Sequence, residues 1–477
     1  MAEPNGKSNT TWVLVLASVA NLMSALDAMV VTTALTRIGR DFGASIEMLE
    51  WTINAYTLSF AAFFLLAAAL GDRFGRRRMF IAGLVLFAAA SAACAVAPGI
   101  GWLIAARAVQ GIGAAIVMPL ALAQISIAFP PERRGWALGI YSSTAGLSTV
   151  LGPTIGGVVT QGLAWPWIFW MNVPVGLVVA VLARAKLRET FGAKAPLDLP
   201  GVVLSTAGAF GLVWGLVRGN EAGWASLEVT AGLGGGALLL VLFVLWELRA
   251  RHPMIPMRFF KSRDFSAGNS AMFFLTGTLM SAIFFMAQFL QAGLGFGPLV
   301  TGLGLLPWGA AVVVGGRSAV GVARRLGDAP TICVALLAQA VGLGWIALTA
   351  TPSMAYAELI APMVLAGLGF ALAVTNAQKV VVGAVAMADI GKASGTLGTI
   401  RQLGGAFGVA VAVAVFARAG GYATPVAFSR GFAAAMGVAA LLSLAGAASG
   451  LVLLRARPRK ATLATGAAAL SGSGESA

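Results

Sequence analysis

"GDRFGRRRMF", residues 71–80, sets one Asp and four Arg between two long apolar runs, in a chain that is only 10% charged. The runs on either side decide the fold. Uncharged apolar stretches of about 20 residues, the length that crosses a hydrocarbon core, recur from Trp12 to Leu454. The 477 residues are 59% hydrophobic, against about 45–50% in soluble domains. A membrane protein with many spanning helices is expected, and the charged loop is a connection on one membrane face.

Working outward from that loop, apolar length and helix breakers predict about fourteen spans. They lie near 12–36, 50–70, 79–97, 101–128, 136–160, 168–184, 199–217, 230–248, 266–292, 299–321, 331–350, 358–378, 395–417 and 431–454. An even count puts both termini on one side, and the basic residues indicate which. With a cytoplasmic N-terminus, inner segments hold 23 of the 32 Lys and Arg. Outer segments hold only Arg37, Arg40, Arg218, Arg418 and Arg430, while Arg107, Arg317, Lys379 and Arg401 lie within spans or at their ends. The expectation is a multi-pass protein of a bacterial cytoplasmic membrane with both termini inside. This distribution accounts for the net charge of +15 without a nucleic-acid partner. Cys94 and Cys333 both lie in apolar runs, which indicates neither a disulfide framework nor a metal site. Residues 1–10 lead straight into a retained first span, and 456–477, rich in Gly, Ser and Ala, read as a disordered cytoplasmic tail.

The loop has a counterpart. "DRFGRRR" (72–78) follows the second span and "RRLGDAP" (324–330) follows the tenth, with Gly75 and Gly327 at the same step. Paired halves are how many secondary transporters are built. The reading is an all-α polytopic fold of two six-helix bundles, 11–190 and 263–455. Two central helices and a linker, 191–262, are inserted between them, and coupling sites are expected between the halves. A monomer is expected.

Ionisable groups inside hydrocarbon are costly, so each is a candidate functional residue. Asp27 in "SALDAMVVTTAL" lies about nine residues, roughly 13 Å, from the outer end of the first span. Arg107 in "LIAARAVQGIGAA" lies about six residues, roughly 9 Å, from the outer end of the fourth. At such similar depths they can pair. Desolvation raises an Asp pKa and a nearby Arg lowers it, so a motion that separates them moves a proton on or off Asp27. A static ion pair that fixes helix packing is the alternative. Arg401, roughly 9 Å from the inner end of its span, either snorkels to the headgroups or takes part in gating.

The fifth span holds "GLSTVLGPTIGG", residues 146–157. Pro153 gives no N–H and its ring crowds the carbonyl of Thr149, so a kink is expected there. Gly152 and Gly156 form a small-xxx-small face for close backbone approach, with Gly146 and Gly157 flanking it. In the opening loop, Gly75 permits a tight turn. Asp72 ends the second span where an Arg, or the N-terminus of a neighbouring helix, can hold it.

"GDRFGRRR", "RAVQGIGAA", "GLSTVLGPTIGG" and "LDAMVVTTAL" resemble the signature motifs of the major facilitator superfamily, in its fourteen-helix drug:proton antiporter branch. "WTINAYTLS" (51–59), "WPWIFWMNVPVG" (165–176), "LQAGLGFGPLVTGLGLLP" (290–307) and "GTIRQLGGAFGVAVA" (398–412) resemble the same branch. The first-span pattern departs at Met29, Thr32 and Thr36, and the loop motif has Ala68 where a Gly usually stands. The resemblance implies a cavity between the halves, alternating access, and multidrug efflux: small lipophilic drugs, antibiotics or dyes leave against proton influx. It implies Asp27 as the coupling acid, Arg107 as the charge that tunes it, and Asp72, Arg73, Gly75, Arg76 and Arg77 as a cytoplasmic gate. Candidate cavity residues are Asn21, Glu50, Trp51, Asn54, Tyr56, Gln110, Gln288, Gln291 and Arg401. Glu50, beside Trp51, either attracts cationic substrates at the outer mouth or is solvated. No metal or cofactor is implied, the proton gradient being the driving force.

Other classes fit poorly. "AMADIGKASG" (386–395) has Gly391 and Lys392, but Ala386 and Ala393 stand where a phosphate loop needs Gly and Ser or Thr. His252 is the only histidine, and no G-x-S-x-G elbow is present, so an intramembrane enzyme has little to work with. A symporter or uniporter importing a small nutrient on the same fold is the closer alternative.

Overall fold

The computed structural model describes residues 6–191, 198–251, 253–386 and 389–454. The expected tail, His252, residues 192–197 of the linker and Met387–Ala388 lie outside the described residues. In hydrocarbon no water is available to the backbone, so an apolar segment must satisfy its own N–H and C=O groups by forming a helix. The described chain does this throughout. The first half contains α1 (Gly6–Phe42), α2 (Ile46–Phe74), α3 (Arg76–Ala95), α4 (Ile100–Ala128), α5 (Pro131–Gly162), a four-residue α6 (Trp167–Trp170) and α7 (Asn172–Lys186). The insertion is α8 (Leu199–Ala222) and α9 (Leu227–Arg249). The second half contains α10 (Arg263–Gln288), α11 (Pro298–Gly304), α12 (Leu306–Leu326), α13 (Asp328–Thr349), α14 (Tyr356–Gly383), α15 (Ile390–Ala419) and α16 (Pro425–Leu454).

Among the described residues, twelve helices are long and apolar enough to cross a membrane, and thirteen when α2, bent by 50° between Met48–Phe64 and Leu66–Phe74, counts as one span. The Ser-, Thr- and Gly-rich α5 is a further continuous helix of 32 residues that runs through Pro153. Two expected spans are broken. The sixth is α6 and α7, meeting at Met171. The tenth is α11 and α12, where Pro307 in the first turn of α12 has no N–H to continue the ladder.

We call the end where α1 begins proximal and the opposite end distal. α1, α2, α3, α4, α5 and α7 pack on one another, as do α10 and α12 to α16. The inserted hairpin lies outside both sets: α8 rests on the seam of α2 and α15, and α9 rests on α8. Glycines close that hairpin, since a Cβ on Gly211 would stand 2.9 Å from the Gly232 oxygen and one on Gly236 2.8 Å from the Gly208 oxygen. The repeated loops share a backbone feature as well as a sequence. Gly75 and Gly327 turn the chain at φ 105° and 91°, a region that favours glycine.

The apolar core divides unequally. At the distal end one continuous cluster joins the halves, running from Val30, Leu35 and Phe169 to Phe285, Phe289 and Phe432. Toward the proximal end each half has its own cluster, around Phe80, Phe87 and Ile125 in the first and around Phe265, Leu275 and Leu336 in the second. A further cluster, with Leu58 of α2 and Ala406 of α15, joins the halves nearer mid-membrane, so they meet there as well as at the distal end.

Candidate functional site

Asp27 and Arg107 meet, as their similar depth implies. Arg107 Nη1 lies 2.5 Å from Asp27 Oδ2, and both side chains are only 1% exposed. The other carboxylate oxygen, Oδ1, accepts from Gln110 Nε2 at 2.9 Å and from Asn172 Nδ2 at 2.8 Å. Ser91 Oγ accepts from the same two amides, at 3.2 and 3.1 Å, and donates to the Phe169 carbonyl at 2.9 Å. Arg107 also donates to Gln110 Oε1 at 2.8 Å and to the Thr52 carbonyl at 3.1 Å, with its guanidinium 4.3 Å from the centre of the Tyr56 ring. A buried charge persists only when paired and hydrogen-bonded, and this one is both.

This geometry fits one protonation state. Three donors and no acceptor face Asp27, which suits a carboxylate. A carboxylic acid adds an O–H that must displace a donor, so taking up a proton requires Arg107 or an amide to withdraw. Every partner comes from α1, α2, α3, α4, α7 or the α6 turn. Asp27 therefore lies inside the first half and not in the seam between the halves. Gln110 and Tyr56, read as cavity residues, belong to this network.

α1 links the network to the seam between the halves. Two residues beyond Asp27, Met29 packs on Gly152 of α5, and Gly156 sits against the Val30 carbonyl and Thr33. At Thr33 the backbone oxygen accepts from Gln291 Nε2 of the second half at 2.9 Å. The distal ends of α5 and α11 meet backbone to backbone. A Cβ on Gly157 would stand 2.9 Å from the Pro298 carbonyl carbon, and one on Gly302 2.8 Å from Thr154 Cα. Gln161 Oε1 accepts from the Leu299 N–H at 3.0 Å in the same contact. The small residues of the fifth span thus serve α1 on one face and the second half on the other. Gly146 lies further back in α5.

The charged loop is held within the first half. Arg76 pairs with Asp72 at 2.7 Å, while Arg73 is exposed. The carboxylate at the N-terminus of α3 is that of Glu189, beyond α7, which accepts from the backbone N–H of Arg77 at 2.9 Å and of Arg78 at 3.2 Å. Glu189 also lies 3.6 Å from the Arg77 guanidinium. A Cβ on Gly75 would meet the Glu189 carboxyl at 2.8 Å, and the positive φ of the turn favours glycine.

The sequence pattern described as the Major Facilitator Superfamily matches residues 17–409. The chain belongs to the Major Facilitator Superfamily. It is 34% identical over 421 residues to the tetracenomycin C resistance and export protein of Streptomyces glaucescens, covering 86% of this chain and 78% of that one. It is 37% identical over 415 residues to the cephamycin export protein CmcT of Amycolatopsis lactamdurans, covering 86% and 85%. The crystal structure of a D-xylose–proton symporter shares the fold, with a TM-score of 0.65 at 14% identity over 92% of this chain and 96% of that one. As a superfamily member the chain is a membrane transporter of small molecules.

Within the superfamily fold, the remaining candidates fall in several places. Glu50 is fully buried and accepts from Asn54 Nδ2 at 2.7 Å, so the solvated reading of Glu50 does not hold. Trp51 packs against Phe210 and Trp214 of the inserted α8, with ring centres 5.6 and 5.8 Å apart. Asn21 pins α1 to α5 through the Tyr141 carbonyl at 3.0 Å and Thr144 Oγ1 at 2.9 Å. Gln288 accepts from the Tyr422 hydroxyl and Gln291 joins the distal seam. Arg401 of α15 is half-buried. Sequence reading missed Ser91, Asn172 and Glu189.

Proposed function

We propose that this transporter exports small lipophilic compounds, antibiotics and dyes among them, by alternating access in exchange for protons. Two relatives named for antibiotic export, similar along most of the chain, support efflux of this kind. Asp27 is the proton carrier. The observation that carries this role is its full burial against Arg107, Gln110 and Asn172, in a network matched to the ionised form alone. When a proton arrives, Arg107 withdraws and α1 shifts. Because Met29 and Thr33 on α1 bear on Gly152, Gly156 and Gln291, that shift acts on the distal seam, which closes behind a proton taken up from the distal side so that it is released on the proximal one.

On this reading α5 completes a set of fourteen spans and the chain belongs to the drug:proton antiporter branch. The proximal side is the cytoplasm, holding both termini, in a bacterial cytoplasmic membrane. The closed distal seam then corresponds to a state open inward. A single copy suffices, and the proton gradient is the only energy source. Lipophilic dyes in proteoliposomes under an imposed pH gradient test the proposal. The wild type extrudes dye, and Asp27→Asn binds it without gradient-driven flux. Undiminished flux in the variant, or gradient-driven uptake by the wild type, contradicts the proposal.

A further inference from the structure

Another buried carboxylate lies outside the transport machinery. Glu247, in the last turn of α9, is 3% exposed. Its Oε2 accepts from the Ile255 N–H at 3.1 Å, but its Oε1 has no N–H or O–H donor. Facing it is another acid, Asp198, which caps α8. A Cβ on Gly201 would stand 2.6 Å from Asp198 Oδ2 and 2.8 Å from Glu247 Oε1, so the two oxygens converge on one point. Asp198 is already supplied with donors: Oδ1 accepts from the Gly201 N–H at 3.0 Å and Trp246 Nε1 at 2.8 Å, and Oδ2 from the Met254 N–H at 3.3 Å.

No cation offsets the pair among the described residues. Of the basic groups nearby, Arg249 and Arg251 on the α9 side are exposed, as is Lys261 of the turn Met257–Lys261 packed against α9. Arg258 of that turn is engaged with Asp389 at 2.9 Å. The charged side chains Arg218 and Glu228 of α8 and α9 pair with each other at the far end of the hairpin. Two facing carboxylates, one buried and one half-buried, repel, whereas one shared proton turns the contact into a hydrogen bond.

We propose that Asp198 and Glu247 form a single-proton site that locks the inserted hairpin to the linker entering the second half. The proton sits on Glu247 Oε1 and is donated to Asp198 Oδ2, leaving one negative charge on the pair. In that form the acids hold the Met254 and Ile255 amides, and with them the chain between α9 and α10. Loss of the proton leaves two repelling carboxylates and releases those amides. The ligand of the site is the proton itself, so the hairpin-to-linker lock responds to pH independently of Asp27.

Amide hydrogen exchange on the full chain in lipid nanodiscs tests this, read on the segment holding Met254 and Ile255 and corrected for the intrinsic pH dependence of exchange. The wild type is protected at low pH and loses protection as pH rises. Glu247→Gln, whose amide can donate to Asp198 at any pH, stays protected throughout. Wild-type protection that ignores pH, or a pH dependence that persists in Glu247→Gln, overturns the proposal. An infrared difference spectrum between wild type and Glu247→Gln at neutral pH provides a second readout. A protonated-carboxyl C=O band supports the proposal, and its absence refutes it.

Discussion

Replacing Asp27 by Asn, Arg107 by Met, and both together separates an integrated ion pair from two independent packing residues. Each single replacement strands the other member at 1% side-chain exposure. Arg107→Met leaves a carboxylate with only the two amides of Gln110 and Asn172. Asp27→Asn leaves a guanidinium with the Thr52 carbonyl, Gln110 and the Tyr56 ring. Breaking a buried pair in this way costs about 3–5 kcal/mol, whereas removing both charges is often close to neutral. The double variant is therefore expected to be more stable than either single one. Thermal unfolding in detergent micelles, followed by the fluorescence of the 12 Trp residues, measures the cycle. Single-variant losses that add to within about 0.5 kcal/mol in the double variant would refute the coupling.

Two further outcomes are expected. Gly157→Ala places a methyl group against the Pro298–Leu299 backbone and forces α5 and α11 apart. Spin labels at the exposed Leu163 and Leu348 should then report a longer distal separation, and an unchanged distribution would mean that this contact does not set closure. Glu189→Ala removes the acceptor for the Arg77 and Arg78 amides at the start of α3. A loss of about 0.5–2 kcal/mol is expected in the same unfolding assay, as for other helix-capping side chains, and no change would deny the capping role.

The span pattern was legible because hydrocarbon imposes it on each segment separately. Asp27 and Arg107 could be paired from sequence because depth in a membrane helix follows from residue count. Gln110 was also within reach: three residues beyond Arg107, it shares that helix face. Asn172 was harder to place. Its direction depends on the break at Met171 between α6 and α7, which resets the helix phase. Ser91 looked like any small residue of an apolar run until the Phe169 carbonyl and two amides converged on it. Glu189 reaches α3 from a loop more than a hundred residues along the chain, and nothing near it in the sequence announces the contact. Trp51 reads as a cavity residue from its motif, "WTINAYTLS". The inserted α8 gives it aromatic partners instead.

Proton release on binding tests the coupling claim most directly. Purified protein in weak buffer, at a pH low enough that Asp27 carries its proton, should release that proton to solution when a lipophilic dye that it transports binds, and Asp27→Asn should bind the same dye without release. Equal release from both proteins would contradict Asp27 as the group that trades its proton for cargo.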